Sequence, residues 1–545
     1  MPISFNNIPA NWKQPLYWVE IDGSMAGYPM THMRSLLVGT MTTKNTDTTL
    51  NGAGVPDVPI IIGRQMDADY LFGAGSELAC AFRAYFANNW ANEVWALPVA
   101  ESAASTQATG TITITTPPTD AGTIDLYIGG YHVPVNVAAT STATEVATAI
   151  ADAINQDVVS FPGAIGTPPH LPVTASAATD IVTLTAKGGG VYANGITITD
   201  SYYGKIGGEE LPPGVKLTYS NPIAGSINMG SMAGGVGVPI FTNAIANLGE
   251  TEFEYVSLGG HTDSTTLLAF ETEWGFGDDG RWGWMRQLYG HIFAYKADTY
   301  SNLVTFGLTR NGKVTSIMAL EPGFLSPTYE VSAAYTAKAA RALINDPARP
   351  LQTLHMETMI PATFKDRWNL MELNTFSSSG LATQRTLSDN VPMIARETTT
   401  YQLNLYGYGD DAFELVTTLA TLAKLIRNQR YAITSKFPRH KLADDGTRFG
   451  AGQAIVTPSV IKAELVAEYT LDEFNGLVEN SQAFKAHLIV ERDPNDPNRV
   501  NVLYPPDLVN QLRVFAVLNQ FRLQYNRGVD QAIIQNPVVG IGAGL

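Results

Sequence analysis

One cysteine, Cys80, in 545 residues leaves no partner for an intrachain disulfide, so the chain suits a reducing compartment, and a thiolate zinc site is excluded. Cys80 lies in the apolar helical pattern LACAFRAYF and reads as a buried core thiol. Charge is scarce: 15% of residues are charged, against about 25% in ordinary soluble domains. Much uncharged surface must then be placed, and burial between subunits is one outlet for it. Basic residues are the scarcer sign, 34 against 50 acidic ones, for a net charge of −16. A general nucleic-acid binder needs basic stripes to neutralise phosphates, so a net acidic chain is a poor candidate for that class. Long apolar runs are missing as well. The longest uncharged stretch, between Lys216 and Glu250, is interrupted by Gly, Asn, Ser and Pro and makes a poor membrane span. The start, MPISFNNIPANWKQ, lacks the basic-then-apolar pattern of a secretory signal.

Catalytic and ligand motifs are equally thin. The eight histidines stand at 32, 132, 170, 261, 291, 355, 440 and 487, with no pair at helical i,i+4 spacing. ERDPNDPNR contains Asp493 and Asp496 but not the alternating oxygen ligands and turn glycine of a calcium loop. GGVGVP, Gly234 to Pro239, lacks the Lys-Ser/Thr of a phosphate loop and reads as a linker. GGHTDS places His261, Asp263 and Ser264 after a strand, where α/β active sites lie. A catalytic triad converges from distant segments, however, and Ser264 has no G-x-S-x-G elbow; a turn followed by a helix N-cap explains the three residues better. No catalytic residue, metal or cofactor is expected.

What is present is a chain long enough for three or four domains. Residues 1–30 read as an extended arm, with the strand-like PLYWVEID between prolines. Residues 31–102 carry strand, helix, strand: SLLVGT, Ser76 to Asn89, and EVWALPVA. Composition turns to Thr, Ala, Gly and Val over 103–222, where GTITITT, TIDLYIGG, YHVPVNV, DIVTLTAKG and GITITDSYY are strands and Thr142 to Asn155 is one capped helix; this is a mostly β insertion, a small sandwich. Over 223–395 strands and helices alternate, which implies a largely parallel sheet covered by helices. There Leu267, Leu268 and Phe270 are expected inward on a helix capped by Asp263 or Ser264, and Pro327 to Asn345 is a long helix. Over 396–527 the reading is a strand in TTTYQLN, an amphipathic helix Phe413 to Arg430, and further helix at Leu471–Asn480 and Asp507–Tyr525. Residues 528–545 form a second extended arm.

Two features suggest partners. Lys424, Arg427, Arg430, Lys436, Arg439 and Lys441 form a basic run with no acid between them, readable as a solvated face or as a docking patch for an acidic partner. The two arms are apolar enough to add strands to the sheet edge of another chain.

The order of several segments resembles the contractile tail sheath proteins of Mu-like bacteriophages. These are ISFNNIP, PLYWVEID, SLLVGT and NEVWALPV at the start; VPMIARETTTYQLN followed by GYGDD and a long helix; then IVTPSVIKAELVAEY and the run from Gly476 to Phe521. The resemblance spans most of the chain, and the insertion matches loosely. It implies a multidomain α/β fold whose central domain is subtilisin-like without being a protease, an outward-projecting insertion, and an α+β C-terminal inner domain facing the tail tube. It implies subunits that stack as hexameric rings around the tube and contract, driving the tube through the host envelope. Partners would be further copies of the chain, the tube protein, and the baseplate and tail terminator proteins, with no nucleic acid or membrane contact. The place would be the virion tail, after synthesis and assembly in the host cytoplasm. Tube contact would fall on Lys424, Arg427, Arg430, Lys436, Arg439 and Lys441. Strand exchange would fall on Leu16, Trp18, Val19 and Ile21 in one arm and Ile533, Ile534, Val538 and Val539 in the other. A headless contractile injection particle fits the same residues; a subtilisin-like hydrolase and a surface-layer protein fit less well.

Overall fold

The computed structural model describes residues 33–521 and 523, apart from 157–169, 224, 225, 227 and 451. Both arms, with Leu16, Trp18, Val19, Ile21, Ile533, Ile534, Val538 and Val539, lie outside the described residues. The chain divides into a unit ending at Val509 and a second beginning at Asn510.

In the first unit the chain opens with β1 (Ser35–Met41), β2 (Ile60–Ile61), α1 (Gln65–Phe72), α2 (Glu77–Asn88) and β3 (Val94–Ala100). The insertion follows as β4 (Gln107–Thr116), β5 (Gly122–Ile128), β6 (Tyr131–Val137), α3 (Ala143–Asn155), β7 (Val173–Ala178), β8 (Ile181–Gly189), β9 (Thr197–Asp200), β10 (Lys216–Tyr219) and β11 (Met229–Ser231). Then come α4 (Thr242–Ala246), β12 (Tyr255–Ser257), α5 (Ser264–Glu273), β13 (His291–Ala297), α6 (Tyr300–Leu308), β14 (Thr315–Leu320), α7 (Thr328–Asn345), α8 (Leu370–Ser378), β15 (Thr383–Thr386) and β16 (Pro392–Arg396). The C-terminal part holds α9 (Val416–Lys436), β17 (Lys441–Leu442), β18 (Ile455–Val456), α10 (Pro458–Phe474), α11 (Ser481–His487), β19 (Ile489–Arg492) and β20 (Val500–Leu503).

The central sheet has six strands in the order β14-β13-β12-β1-β3-β2, parallel except for the antiparallel edge strand β2. Its strands read as continuous apolar runs because both faces are covered. Side chains alternate between faces, and the cores show it. Leu37, Phe293, Tyr295 and Met318 enter one core with α2 and α7, while Leu36, Val38, Ile292 and Ile317 enter a second with α5, α6 and α8. Both α2 and α7 are rich in buried alanine, which lets a helix sit close to its neighbours. Cys80 is buried there, and burial pushes its thiol up to about 12. In α5 the Asp263 carboxylate caps the helix by accepting from the Thr266 N–H at 2.9 Å. Leu267 and Phe270 point inward as expected, but Leu268 is exposed, because it falls on the outer side of the turn.

The insertion is two four-stranded antiparallel sheets, β10-β4-β8-β7 and β11-β9-β5-β6. Its helix α3 starts with a full capping box between Thr142 and Glu145. Ile112, Leu126, Ile150 and Ile198 belong to the same core as the α2–α7 layer, so the sandwich is fused to the α/β body. It also runs past residue 222. β11 pairs with β9, and the glycine-rich GGVGVP, read as a linker, is tied back through a bridge from Val236 to Thr106.

A third core forms from Leu425, Ile461, Leu465, Tyr469 and Phe484, with Tyr469 and Phe484 stacked at 3.7 Å. Three sequence expectations fail in this part. TTTYQLN is no strand: Thr398, Thr399 and Thr400 are fully buried and bond to scattered partners instead of one ladder, as where the Thr399 hydroxyl donates to the Phe413 carbonyl at 2.6 Å and the Thr400 hydroxyl to the Gly312 carbonyl at 3.1 Å. Leu471–Asn480 is helical only over Leu471–Phe474, the end of α10, which begins earlier with Pro458 in its first turn and is capped by Asn475 before Gly476 at φ +74°. No described residue of Asp507–Tyr525 is helical; Leu512, Val514, Phe515, Leu518 and Phe521 are exposed, and a short helix without a packing surface is not stable in water.

Candidate functional site

In an open parallel sheet, ligands bind outside the carboxyl ends of the strands where the strand order reverses. Here the reversal lies at β1, which has β3 on one side and β12 on the other. The position is filled by side chains. Glu77, in the first turn of α2, accepts from the Thr40 N–H at 2.9 Å and the Thr40 hydroxyl at 2.6 Å. The His261 Nε2 lies 2.9 Å from the Glu77 carboxylate, both side chains being 1% exposed. Burial pulls the imidazole's pKa down, but the Glu77 charge and hydrogen bond outweigh it and hold the pKa above the ordinary histidine value. The insertion closes the top: Tyr192 sets its ring edge-on to His261, and Gly189 donates its N–H to Glu101 at 2.5 Å. Asp263 is spent on the helix cap, and Ser264 is exposed at the start of α5. His261, Asp263 and Ser264 therefore do not converge.

The basic run starts on α9, a helix that joins all three cores through Val416, Leu419 and Leu425. Residues three apart differ by about 60° around a helix, so Lys424, Arg427 and Arg430 spread over about 120° of one side, with Arg427 in the middle. Arg427 points inward. It donates to Glu252 at 2.7 Å, contacts the Glu254 carboxylate and lies 5.3 Å over the Tyr289 ring. Burial pushes the Glu254 carboxyl up to about 8 against the pull of Arg427. One guanidinium thus faces two carboxylates. Beside this pair is a partly open cavity of about 40 Å³ lined by Glu254, His291, Lys424 and Arg427 with apolar neighbours. His291 is fully enclosed, and burial pushes its imidazole down to about 3. Lys436 is paired with Glu464. Arg430, Arg439 and Lys441 are exposed and make no ion pair among the described residues. The six basic residues are therefore divided: Arg427 is an internal clamp, Lys424 lines the cavity beside it, Lys436 is in a surface pair, and Arg430, Arg439 and Lys441 are exposed. Glu252 and Glu254, the acids that take Arg427, could not be matched to it from sequence because they lie across a whole α/β domain.

A second internal network was equally hidden. Glu330 on α7 accepts from the Tyr131 hydroxyl at 2.5 Å, and Arg83 on α2 donates to the same hydroxyl at 2.5 Å. Burial pushes Glu330 up to about 7. Tyr131 opens β6, so this chain ties the insertion to both helices of the α/β layer. Among the described residues no helix is long and apolar enough to cross a membrane.

Residues 409–522 match the family described as the phage tail sheath C-terminal domain. The chain is 36% identical to the Mu-like prophage FluMu tail sheath protein of Haemophilus influenzae, over 96% of this chain and 100% of that one. A solved sheath tail protein from Desulfitobacterium hafniense is 12% identical at a TM-score of 0.43, covering 91% of this chain and 100% of its own. Another, from Listeria innocua, is 11% identical at a TM-score of 0.44, covering 88% of this chain and 92% of its own. Scores at that level do not bear on the fold. The relation to the Haemophilus protein is end to end, so the chain belongs to the tail sheath proteins of Mu-like phages, and it is a structural component of the virion tail and not an enzyme.

Proposed function

We propose that the subunit polymerises as stacked hexameric rings around a tail tube and contracts to drive the tube through the host envelope. The observation that carries this is the full-length relation to a tail sheath protein. In this reading the α/β layer is the subtilisin-like sheath domain, supported by a mainly parallel sheet with helices on both faces. The C-terminal part faces the tube. Of the basic run, Arg430, Arg439 and Lys441 are the residues free to meet an acidic tube surface, with Lys436 beside them. A screened polar contact suits an interface that must break on contraction. Arg427 serves another purpose. It holds α9 to the loop before β12 through Glu252 and Glu254, so the α/β and C-terminal parts move as one body and the transition occurs between subunits. The arms, residues 12–24 and 528–541, link each ring to the next by strand exchange; baseplate and terminator proteins close the two ends, and assembly takes place in the host cytoplasm.

Negative-stain electron microscopy of the purified protein, alone and with its tube protein, tests this. Ringed hollow tubes are the expected result. Monodisperse monomers under every condition would overturn the reading.

A further inference from the structure

In the insertion, the β5–β6 hairpin and the loop after β9 bring together one imidazole and two carboxylates. Asp125 and His132 sit diagonally across the hairpin, since Tyr127 pairs with His132 and Asp125 with Pro134. The His132 Nε2 is 2.8 Å from Asp125 Oδ1. Glu209 approaches from the loop, and donor atoms of the three residues all lie within 4.8 Å of one another. We propose that Asp125, His132 and Glu209 bind one divalent transition-metal ion of the zinc, cobalt and manganese class, with water completing its coordination.

Four observations carry the assignment. First, the donor set is chemically apt: an imidazole with two carboxylates suits borderline divalent ions, whereas an all-oxygen set would favour calcium or magnesium. Second, no fixed cation neutralises the two carboxylates. Among the described residues no lysine or arginine pairs with Asp125 or Glu209, and Lys205 is paired with Glu210 at 3.1 Å. Third, the ligands are held from behind. The Tyr127 hydroxyl donates to Glu209 Oε1 at 2.5 Å, the Tyr203 N–H donates to Glu209 Oε2 at 2.9 Å, and the Tyr127 ring stacks on His132 at 5.0 Å. Such outer contacts orient metal ligands and leave each carboxylate further lone pairs. Fourth, the side chains of Asp125 and His132 are 16% and 24% exposed, sheltered yet open to an entering ion. Ligand bonds of about 2.0–2.2 Å require donors roughly 3.3 Å apart, so the Asp125–His132 pair opens by about half an ångström on binding.

The ion would staple the loop to the hairpin. That loop also carries Tyr202, whose hydroxyl donates to the Pro361 carbonyl at 3.0 Å. Metal would therefore stiffen the seam between insertion and α/β body.

The test is titration of EDTA-treated full-length protein with Co²⁺, followed by visible absorption, in wild type, His132→Ala and Glu209→Gln, with circular dichroism to confirm folding. An acidic chain collects divalent ions loosely, so the comparison between variants decides. One bound Co²⁺ per chain in the wild type, weakened about tenfold or more in both variants, is expected. No Co²⁺ spectrum in the wild type at millimolar metal, or unchanged binding in either folded variant, would overturn the site. If His132→Ala does not fold, Glu209→Gln alone decides, since it leaves the Asp125–His132 pair in place.

Discussion

The Arg427 guanidinium on α9 lies against the carboxylate of Glu254, the residue that leads into β12, so the C-terminal helix is fastened to the central sheet by a charge contact almost closed to solvent. Glu254 is 5% exposed and has no other cation within ion-pair reach among the described residues.

Arg427→Ala should therefore lower stability by about 2–3 kcal/mol, somewhat less than the usual cost of orphaning a buried charge because Glu254 can take up a proton. Glu254 already binds its proton near 8, so the loss should be larger at pH 9 than at pH 6. Urea titrations at both pH values measure it. A change below about 0.5 kcal/mol would show that the contact is not structural.

The Glu77–His261 pair has a pH signature. The folded-state pKa of His261 is raised above its ordinary value. Its contribution is therefore complete below the unfolded value and is lost as pH rises through the folded one. His261→Gln should cost most near pH 5.5 and least near pH 9, as read from thermal melts across that range. A cost that grows with pH would mean the imidazole is buried neutral.

Gly290 is a packing prediction. A Cβ there would meet the Phe253 carbonyl oxygen at 2.4 Å and Trp274 Nε1 at 2.5 Å. Gly290→Ala should destabilise by about 1–3 kcal/mol through overpacking, with a lowered midpoint in denaturant and an unchanged slope. A wild-type midpoint would mean that the Trp274 layer yields.

For assembly, Arg430→Glu, Arg439→Glu and Lys441→Glu together should reduce co-sedimentation with the tube protein and leave the melting temperature within a few degrees of wild type, because exposed charges contribute little to folding. Undiminished co-sedimentation would move tube contact elsewhere on the subunit.

Deleting residues 529–545 should leave a folded subunit, because the described cores end before it, but one that forms no long tubes by electron microscopy. Long tubes from the truncated chain would exclude strand donation by that arm.

The elements that could be read from sequence were those whose signals are local. SLLVGTM and HIFAYKA declare buried parallel strands by their unbroken apolar runs, and Thr142 with Glu145 declares a helix start by spacing alone. The misreadings have physical causes. Thr398–Thr400 look like a strand because threonine suits one, but their hydrogen bonds go to scattered segments and form no ladder. Asp507–Tyr525 reads as helix, but its apolar residues Leu512, Val514, Phe515, Leu518 and Phe521 are exposed, and a short helix with no buried face is not stable in water.

By itself the sequence determined the α/β layering, the β-rich insertion and the family, because periodicity, caps and segment order are carried by neighbouring residues. Only the tertiary structure decided that Arg427 is an internal clamp while Arg430 is free, that Glu77 and His261 fill the crevice of the sheet, and that Asp125, His132 and Glu209 meet. Each of those depends on side chains brought together from separate elements, and the partner of a buried charge is chosen by the packing of the whole fold and not by its neighbours in the chain.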